Sequence, residues 1–305
     1  MILALLQDAA DAASDAGGFS PEDLGPVQFI VAIGFFLFLG LIVLRPARRL
    51  ESWAVGPAHP APQIYQAGDL LAVVGLFVLV QIAFFAAYAF LTGAVDRGPD
   101  EPPPELSFVE TIWAGLATFG LMSAYVLIVS VTRKGGPAAL GLRPRAPRRV
   151  PFGHTFASVA RYLASAPLLL ALTSGIGLAY HLAGSEPPAQ EVAVDIQENL
   201  EQHLLLVVLF AVVLQPLFEE ILFRGFLLEL GVARFGVPLA ILVTSLLFGL
   251  AHGAAAAPVT AFLGAVFAWI KLRTGSLWAP FLAHALHNGS QILLAAYALD
   301  LPTPE

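Results

Sequence analysis

The chain has no cysteine and only two methionines in its 305 residues. Without thiols there can be no disulfide, no thiolate nucleophile, no cysteine-ligated zinc and no iron–sulfur cluster. Any catalysis must therefore use oxygen and imidazole chemistry. Charge is nearly as scarce, at 12% of residues against roughly 25% in soluble domains. Hydrophobic residues make up 58%, with a mean hydropathy of +0.79. These values exclude an ordinary water-soluble globule, and the net charge of −7 gives no reason to expect a nucleic-acid partner.

Long apolar runs are abundant instead. A helical span needs about 20 mostly apolar residues, and the sequence predicts about eight, near 26–44, 70–91, 108–131, 156–183, 203–233, 237–252, 258–273 and 277–297. Polar or Pro/Gly-rich segments such as GPAHPAPQ, DRGPDEPPPE and GSEPPAQE punctuate them. The expected fold is all-α, a polytopic transmembrane bundle with a four-helix catalytic core near the C-terminus.

Basic residues are segregated. Arg45, Arg48 and Arg49 follow the first span, and Arg133, Lys134, Arg143, Arg145, Arg148 and Arg149 fill the loop after the third. Arg234 follows the fifth, and Lys271 with Arg273 end the seventh. Because Lys and Arg collect on the cytoplasmic side, this alternation predicts both termini outside. The first 25 residues, with Asp8, Asp11 and Asp15, read as an exposed acidic tail and lack the basic start of a secretory signal.

The first three spans carry little internal charge, with Gln81 and Tyr88 as their notable polar groups. Residues 203–297 differ: Gln215, Glu219, Glu220, Arg224, His252, His284, His287, Asn288 and Gln291 all fall in or at the edge of apolar helices. Ionisable residues in lipid are costly and presumptively functional. Glu220 and Arg224, four apart, share a helix face and form a charge-neutral couple. Glu219 is turned about 100° away, and a desolvated carboxylate without a basic partner is a good proton acceptor; it is the expected general base. Pro216 cannot donate a backbone hydrogen bond, so the helix should kink there and free the carbonyl of Val212. Phe248 and His252 share a face of the sixth span, and His284, Asn288 and Gln291 lie along one stripe of the eighth, with His287 close to that side. Two imidazoles can hold a metal or a water, and an amide can donate to a developing oxyanion. Together these groups suit a water-activating hydrolase.

Three motifs give these residues a family likeness. EEILFR at 219–224 resembles EExxxR, FGLAH at 248–252 resembles FxxxH, and HALHN at 284–288 resembles the HxxxN of the CPBP (CAAX protease and bacteriocin-processing) intramembrane proteases. The resemblance covers about residues 140–297, including LGLRP at 140–144. It implies that Glu219 activates water, that His252 assists, and that His284 with Asn288 bind the water or the oxyanion. Glu220, Arg224 and Phe248 would support the site. His287 is an imidazole that the motif does not require.

A divalent metal such as zinc, with Glu219, His252 and His284 as candidate ligands, and a metal-free glutamate mechanism both stay open. HExxH is missing, which excludes the usual soluble zincin helix. The expected division is an acidic tail at 1–25, accessory helices with a basic loop at 26–150 and a protease domain at 151–300. The expected function is an intramembrane endopeptidase acting on a membrane-associated or lipid-linked protein in the lipid bilayer, by similarity a prokaryotic plasma membrane. The alternatives are a non-proteolytic membrane scaffold or bacteriocin-immunity-type protein and, third, a proton-coupled transporter, against which the lack of an evident inverted repeat counts.

Overall fold

A computed structural model describes residues 64–92, 106–133, 138, 140–142, 151–182, 199–200, 202–253 and 256–299. The expected first span, the acidic tail and most of the basic loop lie outside the described residues. The rest is helical, with no strand among the described residues.

Among the described residues seven helices follow in chain order: α1 (Ala67–Leu91), α2 (Phe108–Thr132), α3 (Pro151–Leu182), α4 (Gln202–Arg234), α5 (Val237–Leu250), α6 (Ala257–Thr274) and α7 (Trp278–Leu299). Among the described residues, α1, α2, the Val159–Leu182 part of α3, and α4 are long and apolar enough to cross a membrane, and α5 is a shorter apolar helix. Large apolar side chains cover their outer faces, including Phe90 at 80% exposure and Leu205 at 82%. A surface of this kind is tolerable in lipid and not in water. The protein is an integral membrane protein.

Local chemistry sets the helix ends. Ser107 begins α2 with a reciprocal capping box: its hydroxyl accepts the Glu110 N–H (3.3 Å) while the Glu110 carboxylate accepts the Ser107 N–H (2.8 Å). At the end of α6, Gly275 adopts a left-handed conformation (φ +64°) and its N–H closes on the Lys271 carbonyl at 2.8 Å. α5 stops at Leu250, so His252 sits in the turn just beyond the helix, where its N–H bonds the Gly249 carbonyl. The sequence expected this span to run through His252; Gly253 at φ +84° turns the chain away instead.

Helix α4 is central, packed by α2 on one side and α7 on another, while α3 lies against α6 and α7. Its core layer combines Tyr65, Val126, Leu140, Ile221, Phe226 and Leu277. Leu140 of the LGLRP segment is fully buried there, and the Gly141 carbonyl accepts the Leu277 N–H at 2.9 Å. The segment thus ties the start of α7 to α4. Between α1 and α2 the Thr118 hydroxyl donates to Gln81 Oε1 at 3.0 Å, which gives the sequence's isolated intramembrane Gln81 a partner across helices.

α5 and α6 form a tight hairpin through small residues. A Cβ placed on Gly249 would come within 2.5 Å of the Ala257 carbonyl oxygen and 2.8 Å of the Ala261 Cβ, and one on Gly264 within 3.1 Å of the Ser245 Cα. Such small-residue seams let helix backbones approach closely in lipid. Gly249→Ala should force the helices apart and cost about 1–3 kcal/mol, read as a lower denaturation midpoint in detergent; an unchanged midpoint would contradict the close packing.

Two further ion pairs anchor the bundle. Arg133 grips Asp69 with both guanidinium nitrogens (2.5 and 2.8 Å) and also bonds the Ile64 carbonyl. Lys271, in the last turn of α6, is 1% exposed and donates to Glu229 of α4 at 2.8 Å. Its burial follows from α6 packing its last turn against α4 and α5, which leaves the ammonium no water to reach.

Candidate active site

Helix α4 supplies the acidic groups on an irregular backbone. Two stretches with π-type hydrogen bonding, Val208–Leu214 and Glu220–Leu227, flank a short α-helical turn, Gln215–Glu219. Such turns in membrane helices occur where the freed backbone groups find other partners. Pro216 explains which group is freed. In the π register the Gln215 N–H bonds Phe210, five residues back, so the Ala211 carbonyl would need the N–H of residue 216, which proline lacks. The freed carbonyl is therefore that of Ala211, one residue from the expected Val212. It accepts Asn288 Nδ2 of α7 at 2.8 Å.

The two carboxylates face different partners, and one imidazole joins them. Glu220, fully buried, pairs with Arg224 at 3.1 Å, as their spacing predicts. His284 of α7, 4% exposed, places Nδ1 3.0 Å from Glu220 Oε1 and Nε2 3.6 Å from Glu219 Oε2. Glu219 also accepts a hydrogen bond from Gln215 Nε2, one turn earlier, at 2.6 Å. Helical spacing shows no basic partner for Glu219, because His284 reaches it from another helix and Gln215 bears no charge. At this cluster the buried Gln215 Oε1 and Glu220 Oε2 have no hydrogen-bond partner among the described residues. Buried polar atoms of this kind mark where a water or a substrate group would bind.

Aromatic rings wall the cluster. The Arg224 guanidinium lies over the Phe248 ring at 4.3 Å from its centroid and near Phe267 at 5.3 Å, and its NH2 donates to the Gly264 carbonyl at 3.2 Å. His284 stacks on Phe267 (4.8 Å, 25°) and meets Phe248 edge-on (5.8 Å). Phe248 thus does more than pack. Its ring offers Arg224 a cation–π surface, and its carbonyl accepts His252 Nδ1 at 2.7 Å. Because a carbonyl oxygen only accepts, Nδ1 of His252 donates this bond, which in a neutral ring leaves the lone pair on Nε2. His252 is half-buried, with its ring 4.6 Å from that of Phe248.

Glu219, Glu220, Arg224 and His284 therefore meet directly, Phe248 packs on Arg224 and His284, and His252 and Asn288 join through Phe248 and α4 backbone. Among the described residues no group of three His, Asp or Glu side chains is disposed to hold a metal ion. Glu219, His252 and His284 do not assemble as a three-ligand set. Sequence reasoning gave no role to Phe267 or Tyr162. Phe267 is hidden in the uniformly apolar run of α6, and Tyr162 signals only as a lone hydroxyl on a hydrophobic helix.

A carboxylate pair bridged by an imidazole, held on irregular backbone inside an apolar helical bundle, defines a membrane-embedded site suited to acid–base chemistry. Residues 201–290 match the family model described as Type II CAAX prenyl endopeptidase Rce1-like, a stretch that holds all of α4, α5 and α6 and the site-bearing half of α7. The match is to a CAAX protease-type domain over this segment alone, and it agrees with the motif resemblance. No curated protein and no solved structure matches the chain.

Proposed function

We propose that the protein is an intramembrane endopeptidase that hydrolyses a peptide bond of a membrane-associated or lipid-linked protein. The observation that carries this reading is the juxtaposition of Glu219, Glu220 and His284 within 3.6 Å contacts inside an Rce1-like domain. Glu219 is the base: it takes a proton from a water, which attacks the scissile carbonyl, and it returns the proton to the departing amine. His252 supports the water through its Nε2 lone pair. His284 holds the two carboxylates in fixed relation, and Glu220 with Arg224 forms the neutral pair on which His284 rests. Asn288 spends one amide N–H on the Ala211 carbonyl and offers the other to the oxyanion. The apolar wall of Phe248 and Phe267 keeps bulk water from diluting these interactions.

In this reading the protease domain spans 151–300, with residues 1–25 a tail and 26–150 accessory. The positive-inside rule places the Arg133 and Lys271 end of the bundle in the cytoplasm and both termini opposite, in a prokaryotic plasma membrane. The test compares membranes from cells carrying wild type or Glu219→Gln. A small membrane-associated protein should accumulate uncleaved only with the variant; identical protein populations would refute the reading.

A further inference from the structure

Gln215 is an amide within an apolar helix, one residue before Pro216, and it lies outside the three motifs. The α-helical turn Gln215–Glu219 between the two π stretches places it and Glu219 four apart on one face of α4. Its Nε2 donates to Glu219 Oε1 at 2.6 Å. The opposite amide orientation would set two acceptors against each other, because an ionised carboxylate only accepts. The direction of the bond is therefore fixed by the charge state that a base must have.

No other hydrogen bond reaches the Glu219 carboxylate among the described residues. His284 Nε2 stands 3.6 Å from Oε2, near enough for electrostatic attraction but too far to fix the group's rotation, and its Nδ1 is committed to Glu220. The bond from Gln215 is thus what turns the carboxyl group, whose terminal torsion has only a broad preference of its own. Fixing Oε1 leaves Oε2 to face the water. The plainer reading of the pair is a contact that stabilises the helix. The other half of the amide argues against it, because Gln215 Oε1 is buried without a partner among the described residues. An acceptor stripped of water costs about as much as one hydrogen bond returns, so Gln215 adds little net stability.

We infer that Gln215 is the positioning residue of the general base: its amide pins one oxygen of Glu219 so that the other meets the water. This deepens the hydrolase reading proposed above and rests on it. Displacing a reacting group by about 1 Å costs ~10²-fold in rate, whereas substrate binding does not depend on how the carboxyl group is turned. The loss on removing the amide therefore falls on kcat.

The experiment uses the full-length protein in liposomes and, as substrate, the membrane protein that accumulates uncleaved in Glu219→Gln cells. Gln215→Met keeps the length of the side chain and removes the N–H. It should melt close to wild type and lose ~10- to 10²-fold in kcat, with KM little changed. Gln215→Asn keeps an amide on a stem too short to reach Glu219, and should lose as much. In wild type carrying 15N-glutamine and 13C-glutamate, magic-angle-spinning NMR should show a through-space contact between Gln215 Nε2 and Glu219 Cδ that disappears in Glu219→Gln. Absence of that contact overturns the proposal whether or not either Gln215 variant folds. If wild type cleaves, Glu219→Gln does not, and a Gln215 variant keeps the wild-type kcat, this proposal fails while the hydrolase reading stands. A loss confined to KM overturns it in the same way. Membranes in which nothing accumulates with Glu219→Gln remove the hydrolase reading and this proposal together.

Discussion

Arg224→Met lowers the stability of the helical bundle by about 3–5 kcal/mol, the usual cost of removing one partner from a buried ion pair. Arg224 and Glu220 are 2% and 0% exposed, so the orphaned carboxylate cannot recover its lost interaction from water. The same change strips Phe248 of its cation and the Gly264 carbonyl of a donor. Adding Glu220→Gln should restore part of the loss, because the double variant buries no uncompensated charge and the two effects are coupled. Denaturation of the protein in detergent, followed by tryptophan fluorescence, reads both values. If Arg224→Met melts with wild type, the pair is not the structural couple described here.

Glu219→Gln is expected to have the largest effect on activity, with cleavage falling ~10²- to 10⁴-fold, the range attributed to a positioned general base. Glutamine retains the size of the side chain, and its amide can still meet Gln215 and His284. The denaturation midpoint should therefore stay close to wild type. That separation of activity from stability sets Glu219 apart from Glu220, whose contact with Arg224 makes any neutral replacement felt in both.

The helices were legible in the sequence wherever hydropathy decided them. The predicted spans 70–91 and 108–131 are found as Ala67–Leu91 and Phe108–Thr132, because a run of apolar residues bounded by a cap or by Pro/Gly has few other conformations open to it in lipid. The Glu220–Arg224 pair was equally legible, since both partners lie on one helix at a spacing that fixes their approach. What sequence spacing could not reveal is the contact made across helices. His284 reaching Glu219, Lys271 reaching Glu229 and Tyr162 reaching His287 depend on how α7, α6 and α3 pack, and local pattern does not encode that. The π register of α4 is a subtler case: Pro216 signalled a broken hydrogen bond, but α and π turns differ by one residue in which carbonyl is freed. Asn288 identifies it as Ala211.

The most direct measurement of the central claim is the cleavage rate, by purified protein reconstituted in liposomes, of the membrane protein that accumulates in Glu219→Gln cells. Wild type should cut it at one defined bond, and Glu219→Gln, folded and equally abundant, should leave it intact. Equal cleavage by the two proteins would contradict the assignment of Glu219 as the base.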